Sequence, residues 1–426
     1  MENVIRDKSK HHRILFVALL IFVLTLPLSK SISSVAIGLI YAYCLTFFSF
    51  DRDFRGTVIR NIRQPLNVSL ILFLLIMFLR SLFSENVANG MTFVKQVSNL
   101  LIIYVAVSLV IDSEQDEAQR RKGTESLLLY FIAGIFLLDI LGLLTYAGVI
   151  GNNKHSLPLT PLKMHHVWAG NLNAVGLYAT VSLLLFSRYR KTLAESIFLW
   201  CFIGVGSVSI LLSLSRAAWF GTILTSLVLF FFLIKDKKIF VITGISLIAV
   251  CLTVYSFSDI VHQRIDLIFR DISLFSVGVT NTSIGARFLM WKAAFTLFLS
   301  HPVFGVGTGD YQTALAGLVS AGVLPSFVRK FNQPHNMYLF TLATSGLIGF
   351  SALLFIFYRI FHFAGSLIGY HHNERLFGFL SMAVAVHYVT AGMAESLLNI
   401  HVLICSFALV SGICLRRGLF PSSYLA

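Results

Sequence analysis

Apolar residues run along this chain in long blocks, separated by short polar connections. Inside a bilayer no water can satisfy backbone N–H and C=O groups, so apolar blocks of roughly 17–25 residues predict membrane-spanning helices. Twelve are expected, over residues 14–29, 32–50, 66–83, 93–111, 126–148, 170–187, 193–211, 217–234, 239–257, 336–358, 376–394 and 397–415. The first pair is divided only by Pro27-Leu28-Ser29-Lys30 and the last only by Glu395-Ser396. One connection, residues 258–334, is far longer and predicts a soluble loop. Connections of that length in compact proteins are usually functional or carry their own structure. The chain therefore divides into a membrane domain with nine spans (1–257), the loop (258–334) and a second membrane domain with three spans (335–426). The fold class is all-α and polytopic.

Helical signals are legible inside the loop. Thr282 or Ser283 predicts the cap of a helix running through Gly285–Ser300 and stopping at His301-Pro302. Phe288, Trp291, Phe295 and Phe298 share one face of it, suited to the bilayer surface or to the bundle. Gly305, Gly307 and Gly309 predict a flexible turn ahead of a second short helix from Asp310. The pattern contains no internal repeat and no low-complexity tract.

Composition agrees with the pattern: 57% of the 426 residues are hydrophobic and only 12% charged, against about 25% charged in soluble domains. Mean hydropathy is +0.82. The net charge of +14 follows topology, with no need of a nucleic-acid partner. If the N-terminus is cytoplasmic, alternate connections hold 21 of the 33 basic residues, as the positive-inside rule requires. These bands include Arg13, Arg52–Arg63, Arg120–Lys122, Arg188–Lys191, Lys235–Lys238, Arg359, Arg375, Arg416 and Arg417. Both termini are then inside and the long loop is external, periplasmic in a bacterium. The basic stretch Lys8–Arg13 before Ile14–Leu28 reads as an uncleaved signal anchor. The five cysteines, Cys44, Cys201, Cys251, Cys405 and Cys414, all sit in apolar runs without metal-ligand spacing.

Candidate chemistry collects on the external side. Arg216 lies in Leu212-Ser213-Leu214-Ser215-Arg216-Ala217-Ala218-Trp219, a very short turn between two apolar helices. An arginine at a membrane boundary is often a snorkelling anchor, but the positive-inside bias disfavours one here. Its planar fork of donors suits phosphate oxygens. Arg287 falls in the first turn of the loop helix, where a helix N-terminus and a guanidinium together make an anion site. A solvated loop charge is the bland alternative. His335 and Asn336 open the helix that leaves the loop, and Gly346-Leu347-Ile348-Gly349 follows nine residues later. A boundary histidine is commonly structural, yet imidazole is the side chain suited to proton transfer near neutrality. Weaker candidates are Arg80 and Lys95, the pair His165 and His166, Asn171 and Asn173, and Asp310-Tyr311. His166 and Asn173 could bind sugar hydroxyls or merely cap and pack a helix. Phosphate-binding, nucleophile-elbow and zinc-protease motifs are missing. No metal site and no cofactor are expected.

The Ser215-Arg216-Ala217 element, Gly285-Ala286-Arg287, and His335-Asn336 with nine residues before Gly346-x-x-Gly349 together resemble the bacterial O-antigen ligases. These belong to a wider group with O-antigen polymerases and protein O-oligosaccharyltransferases. The resemblance extends to topology: twelve helices, a large periplasmic loop between the ninth and tenth, and a C-type glycosyltransferase-like architecture. The family string often continues with a small polar residue after the second glycine, where this chain has Phe350. The resemblance implies metal-independent, inverting transfer of a completed O-antigen polysaccharide from undecaprenyl diphosphate to a hydroxyl of lipid A–core oligosaccharide. That reaction builds lipopolysaccharide at the periplasmic face of the inner membrane. On this reading Arg216 and Arg287 hold the diphosphate, His335 is the general base, and Asn336 orients His335 or binds sugar. Arg80, His166 and Asn173 are lesser substrate contacts. The same donor with a different acceptor would make the protein a polymerase or a protein O-oligosaccharyltransferase. A transporter of lipids or polysaccharide is the reading from another class. It is disfavoured because the halves do not repeat and the polar groups gather at one face, Asp139 being an isolated exception.

Overall fold

The computed structural model describes residues 2–50, 52–114, 116–151, 154–187, 191–234, 236–369 and 374–420, and among them all regular structure is helical. Arg188, Arg190 and Lys235 of the predicted basic bands lie outside the described residues. The helices α1 (Glu2–Thr25) and α2 (Lys30–Phe50) pack as a hairpin. Next, α3 (Arg52–Ile62) bends by 76° into α4 (Asn67–Leu82). The pair α5 (Val87–Val97) and α6 (Asn99–Asp112) forms one nearly continuous run before α7 (Glu117–Tyr146). Then come α8 (His166–Phe186), α9 (Leu193–Leu212), α10 (Arg216–Leu233) and α11 (Lys237–Phe257). The connecting region holds α12 (Asp259–Ser276), α13 (Ser283–Ser300) and α14 (Tyr311–Ser320). The chain closes with α15 (Met337–Gly369), α16 (Arg375–Ala391) and α17 (His401–Cys414).

Each of the twelve predicted apolar runs falls on a helix, but the helices differ in length. Among the described residues eight are long and apolar enough to cross a membrane by length and composition, and the bent α3–α4 pair makes a ninth if it is one span. The apolar helices His12–Thr25, Lys30–Thr46 and Arg375–Ala391 are shorter, at 10–17 residues.

Close approach of backbones holds the bundle together where side chains are small. At Gly412 on α17 an added Cβ would sit 2.9 Å from Val107 and 3.0 Å from the Tyr104 carbonyl on α6. Van der Waals packing of this kind replaces the hydrophobic effect inside lipid. Polar side chains stitch the same pair: Ser108 Oγ donates to the Gly412 carbonyl at 3.1 Å and Tyr104 Oη to that of Leu415 at 2.9 Å.

The region between α11 and α15 departs from expectation in three ways. First, α13 is capped by Thr282 as predicted, but its buried face is the small one, Ala286, Met290, Ala293, Ala294 and Leu297. These pack with Tyr311, Leu315, Val328, Phe340 and Ala343 into a second apolar core. The aromatic stripe lies opposite, with Phe295 half exposed. Its Trp291 Nε1 donates to the Pro334 carbonyl at 3.0 Å, fixing the residue before His335. Secondly, α12 is an additional helix. Thirdly, the glycine turn is locked. α15 breaks at Gly346 (φ 61°, ψ −161°), a conformation essentially reserved for glycine. The freed carbonyls of Ala343 and Thr344 accept from Val306 N and Gly307 N at 2.8 and 3.0 Å, and Leu347 N donates to the Pro302 carbonyl at 2.9 Å. Residues 302–307 thus supply the hydrogen bonds that the broken helix gives up. Asp310 secures the other side, accepting from Glu85 N and Asn86 N at 2.8 Å each, just before α5.

Candidate active site

His335 sits between the loop and α15 with a positive φ of 51°, rare outside glycine. Asn336 fixes the turn: its Oδ1 accepts from Tyr338 N and Leu339 N, and its Nδ2 donates to the Met393 carbonyl, all at 3.0 Å. The side chain predicted to orient His335 or bind sugar is therefore a helix cap. Held this way, His335 Nδ1 lies 3.0 Å from both carboxylate oxygens of Glu395, in the connection between α16 and α17. Glu395 is buried, at 3% exposure. Burial alone would raise its carboxyl, but the His335 hydrogen bond and charge, the Ser396 N–H and Arg287 outweigh it and hold it below the ordinary glutamate range. An ionised carboxylate only accepts hydrogen bonds, so Nδ1 is the donor to Glu395 and Nε2 is the ring nitrogen that Glu395 leaves unengaged. Gln333 Nε2 also donates to Glu395, at 3.3 Å.

The guanidinium of Arg287 reaches the same connection, with Nη1 donating to the Ala394 carbonyl at 2.9 Å. Burial holds it below the usual arginine range; Glu395 pulls it back up and Arg264 pushes it further down. Arg216 begins α10, where Ser215 Oγ caps the helix by accepting from Ala218 N at 3.2 Å. It lies within electrostatic range of Arg264, Arg287 and Asp271. Its Nε is buried without a hydrogen-bond partner, and such an orphaned donor marks a place where a ligand oxygen fits. Residues from α10, α12, α13, the α15 start and the α16–α17 connection thus surround one charged locus.

The two histidines at the start of α8, the cap His165 and the first helical residue His166, border it. His166 Nδ1 is 2.7 Å from the Ser213 carbonyl, in the turn that leads to Arg216. His165 packs its ring on His166 at 4.6 Å between centroids and on Trp168 at 5.6 Å. Burial lowers the His165 imidazole, Glu395 raises it and His335 lowers it. Both are therefore neighbours of the His335–Glu395 pair.

Other candidates lie elsewhere. Arg80 Nη2 donates to the Gly305 carbonyl at 3.2 Å, and its guanidinium stands 5.8 Å from the Phe304 ring. Asn173 is 1% exposed and donates to Asp139 Oδ1 at 2.9 Å, inside the bundle between α7 and α8. Asp310 is spent on the α4–α5 turn, Tyr311 is buried in the second apolar core, and Lys95 is exposed. Among the described residues no group of three or more His, Cys, Asp or Glu is arranged to hold a metal ion.

Sequence reasoning missed Glu395, Arg264 and Asp271. Glu395 was visible as the one acid between two apolar runs and was read only as their divider. The other two were visible as charges on the apolar face of a helical stripe, Val261, Arg264, Ile265, Ile268 and Asp271.

The chain is 28% identical over 236 residues to an uncharacterized protein of Haemophilus influenzae, a stretch covering 53% of this chain and 59% of that relative. The match thus spans less than two thirds of the relative's length. Residues 197–354, which carry Arg216, Arg264, Arg287, His335 and the Gly346 break, match the family described as O-Antigen ligase (Wzy_C), and this match supports the chain as an O-antigen ligase family member.

Proposed function

We propose that this protein is a glycosyltransferase that moves an O-antigen polysaccharide from undecaprenyl diphosphate to a hydroxyl of lipid A–core oligosaccharide. The membrane would be the bacterial inner membrane, crossed twelve times with both termini inside and the site periplasmic. The observation that carries the reading is the His335–Glu395 pair, seated on the segment that Arg287 grips, with Arg216 in range. A lipid-linked diphosphate is a good leaving group once its charge is neutralised, so it asks for guanidinium forks more than for an acid. His335 Nε2 takes the acceptor hydroxyl proton as that oxygen attacks the anomeric carbon. The C–O bond to the diphosphate breaks, configuration inverts, and the electron pair leaves on the diphosphate held by Arg216 and Arg287. Glu395 fixes the ring and steadies the imidazolium that forms. A lipid tail on the donor accounts for a sugar transferase with an apolar body. A transporter reading leaves the His335–Glu395 pair without a task.

The test is complementation of a strain lacking its ligase with His335→Ala. Absence of long-chain lipopolysaccharide, at normal protein level, is expected; wild-type amounts would remove the general-base role. Assay of purified protein with lipid A–core against a second O-antigen unit or a pilin-like acceptor separates the ligase from polymerase and protein O-oligosaccharyltransferase readings.

A further inference from the structure

A charge on the apolar face of an amphipathic helix is costly unless something outside the helix uses it. On α12 the inward stripe of Val261, Ile265 and Ile268 contains two charges, Arg264 and Asp271, one heptad apart. Each is tied to an element that carries a residue of the site. Arg264 Nε donates to the Leu214 carbonyl at 3.2 Å, two residues before Arg216. Asp271 Oδ2 accepts from Ile284 N at 3.2 Å, three residues before Arg287. The helix therefore bridges the two arginine-bearing turns. Among the described residues no hydrogen bond is made to the Nη atoms of Arg264. Arg216, Arg264 and Arg287 repel one another across the site, with Asp271 as the countercharge to Arg216 and Arg264. Three mutually repelling guanidiniums are a standing cost that a multiply charged anion relieves, and two phosphates offer more oxygens than two forks can satisfy.

We infer that Arg264 is a third diphosphate-binding residue, its Nη fork completing the clamp of Arg216 and Arg287, and that the nearby charge of Asp271 opposes anion binding there. This rests on the diphosphate reading of the site above. It makes an opposite-signed prediction for two neighbours on one helix, which a merely structural role does not. Arg264→Gln removes the fork. Asp271→Asn removes the opposing charge while keeping an oxygen for Ile284 N.

The experiment is calorimetric titration of the full-length protein in lipid nanodiscs with inorganic pyrophosphate. Arg264→Gln is expected to weaken binding about tenfold to a hundredfold, the usual effect of losing hydrogen bonds to a charged group. Asp271→Asn is expected to tighten it several-fold. Arg264→Lys keeps the charge without the fork, gives the weaker direction at smaller amplitude, and serves if the glutamine variant does not fold. Wild-type affinity in both Arg264 variants, or a shift of the same sign in Arg264→Gln and Asp271→Asn, overturns the assignment. Weakening by Arg216→Gln and Arg287→Gln but not by the Arg264 variants overturns it while the diphosphate site stands. Weakening by none of them overturns both.

Discussion

Replacing Glu395 by glutamine isolates one electrostatic contribution. The amide is nearly isosteric and its oxygen still accepts from His335 Nδ1, so ring position is retained while the negative charge is lost. At the 3.0 Å separation and an effective dielectric constant of about 20, a full imidazolium–carboxylate attraction amounts to about 5.5 kcal/mol. The His335 side chain is 30% exposed, so solvent screens part of it. Roughly half of the attraction, about 2.7 kcal/mol, corresponds to a fall in kcat of about a hundredfold. Because the charge develops only as the proton is taken, the loss appears in kcat. The donor KM is unchanged or lower, since the Glu395 charge also acts on Arg287. Steady-state transfer from a lipid-linked donor to lipid A–core, measured with purified protein, reads both constants. A Glu395→Gln enzyme with kcat within threefold of wild type, or one that loses only donor affinity, refutes the proton-transfer role assigned to the pair.

Four further outcomes are expected. Since the Glu395 carboxyl is held low in the folded protein, its contribution to stability is present above the ordinary glutamate value and lost as pH falls through the folded one. Thermal melting from pH 7 down to pH 3 should therefore show a steeper acid loss in wild type than in Glu395→Gln. Arg287→Lys keeps the charge but loses the fork and the Ala394 contact, so donor KM should rise at least tenfold in the same transfer assay. Gly346→Ala places a Cβ 2.3 Å from the Val303 carbonyl in a glycine-only conformation worth about 1–3 kcal/mol. A lowered melting temperature measured by light scattering is the expected result. Asp310→Asn forfeits one of two backbone bonds before α5, a loss of about 1.5–3 kcal/mol, and should increase protease sensitivity between α4 and α5.

Much of the helical layout was readable because each apolar block had to become a helix and polar punctuation fixed the ends. Thr282 and His301 were found as caps from local chemistry alone. Arg216, Arg287 and His335 stood out because each was a residue of chemical use at an expected helix end, bordering apolar sequence. What escaped depended on contacts distant in sequence. For Asn336 the local pattern leaves orienting His335 and binding sugar both open, and only the distant Met393 carbonyl shows where its amide goes. For Asn173 it leaves sugar binding and helix capping open, and only Asp139, 34 residues away, shows that the side chain is used inside the bundle. Glycines 305 to 309 signalled freedom, whereas the backbone of α15 fills the space their missing side chains leave at Gly305. Local pattern cannot distinguish a glycine that bends from one that lets another strand of chain come close.

The splice at Gly346 has a practical corollary for protein engineering. Because α15 borrows partners from residues 302–307, the segment 258–334 cannot be exchanged between relatives as a cassette cut at its apparent ends. A graft that brings a foreign hairpin without the matching interruption leaves unpaired amides at membrane depth, and the hybrid should be degraded instead of displaying altered specificity. Functional chimeras should join well inside the second half of α15, so that both halves of the splice travel together.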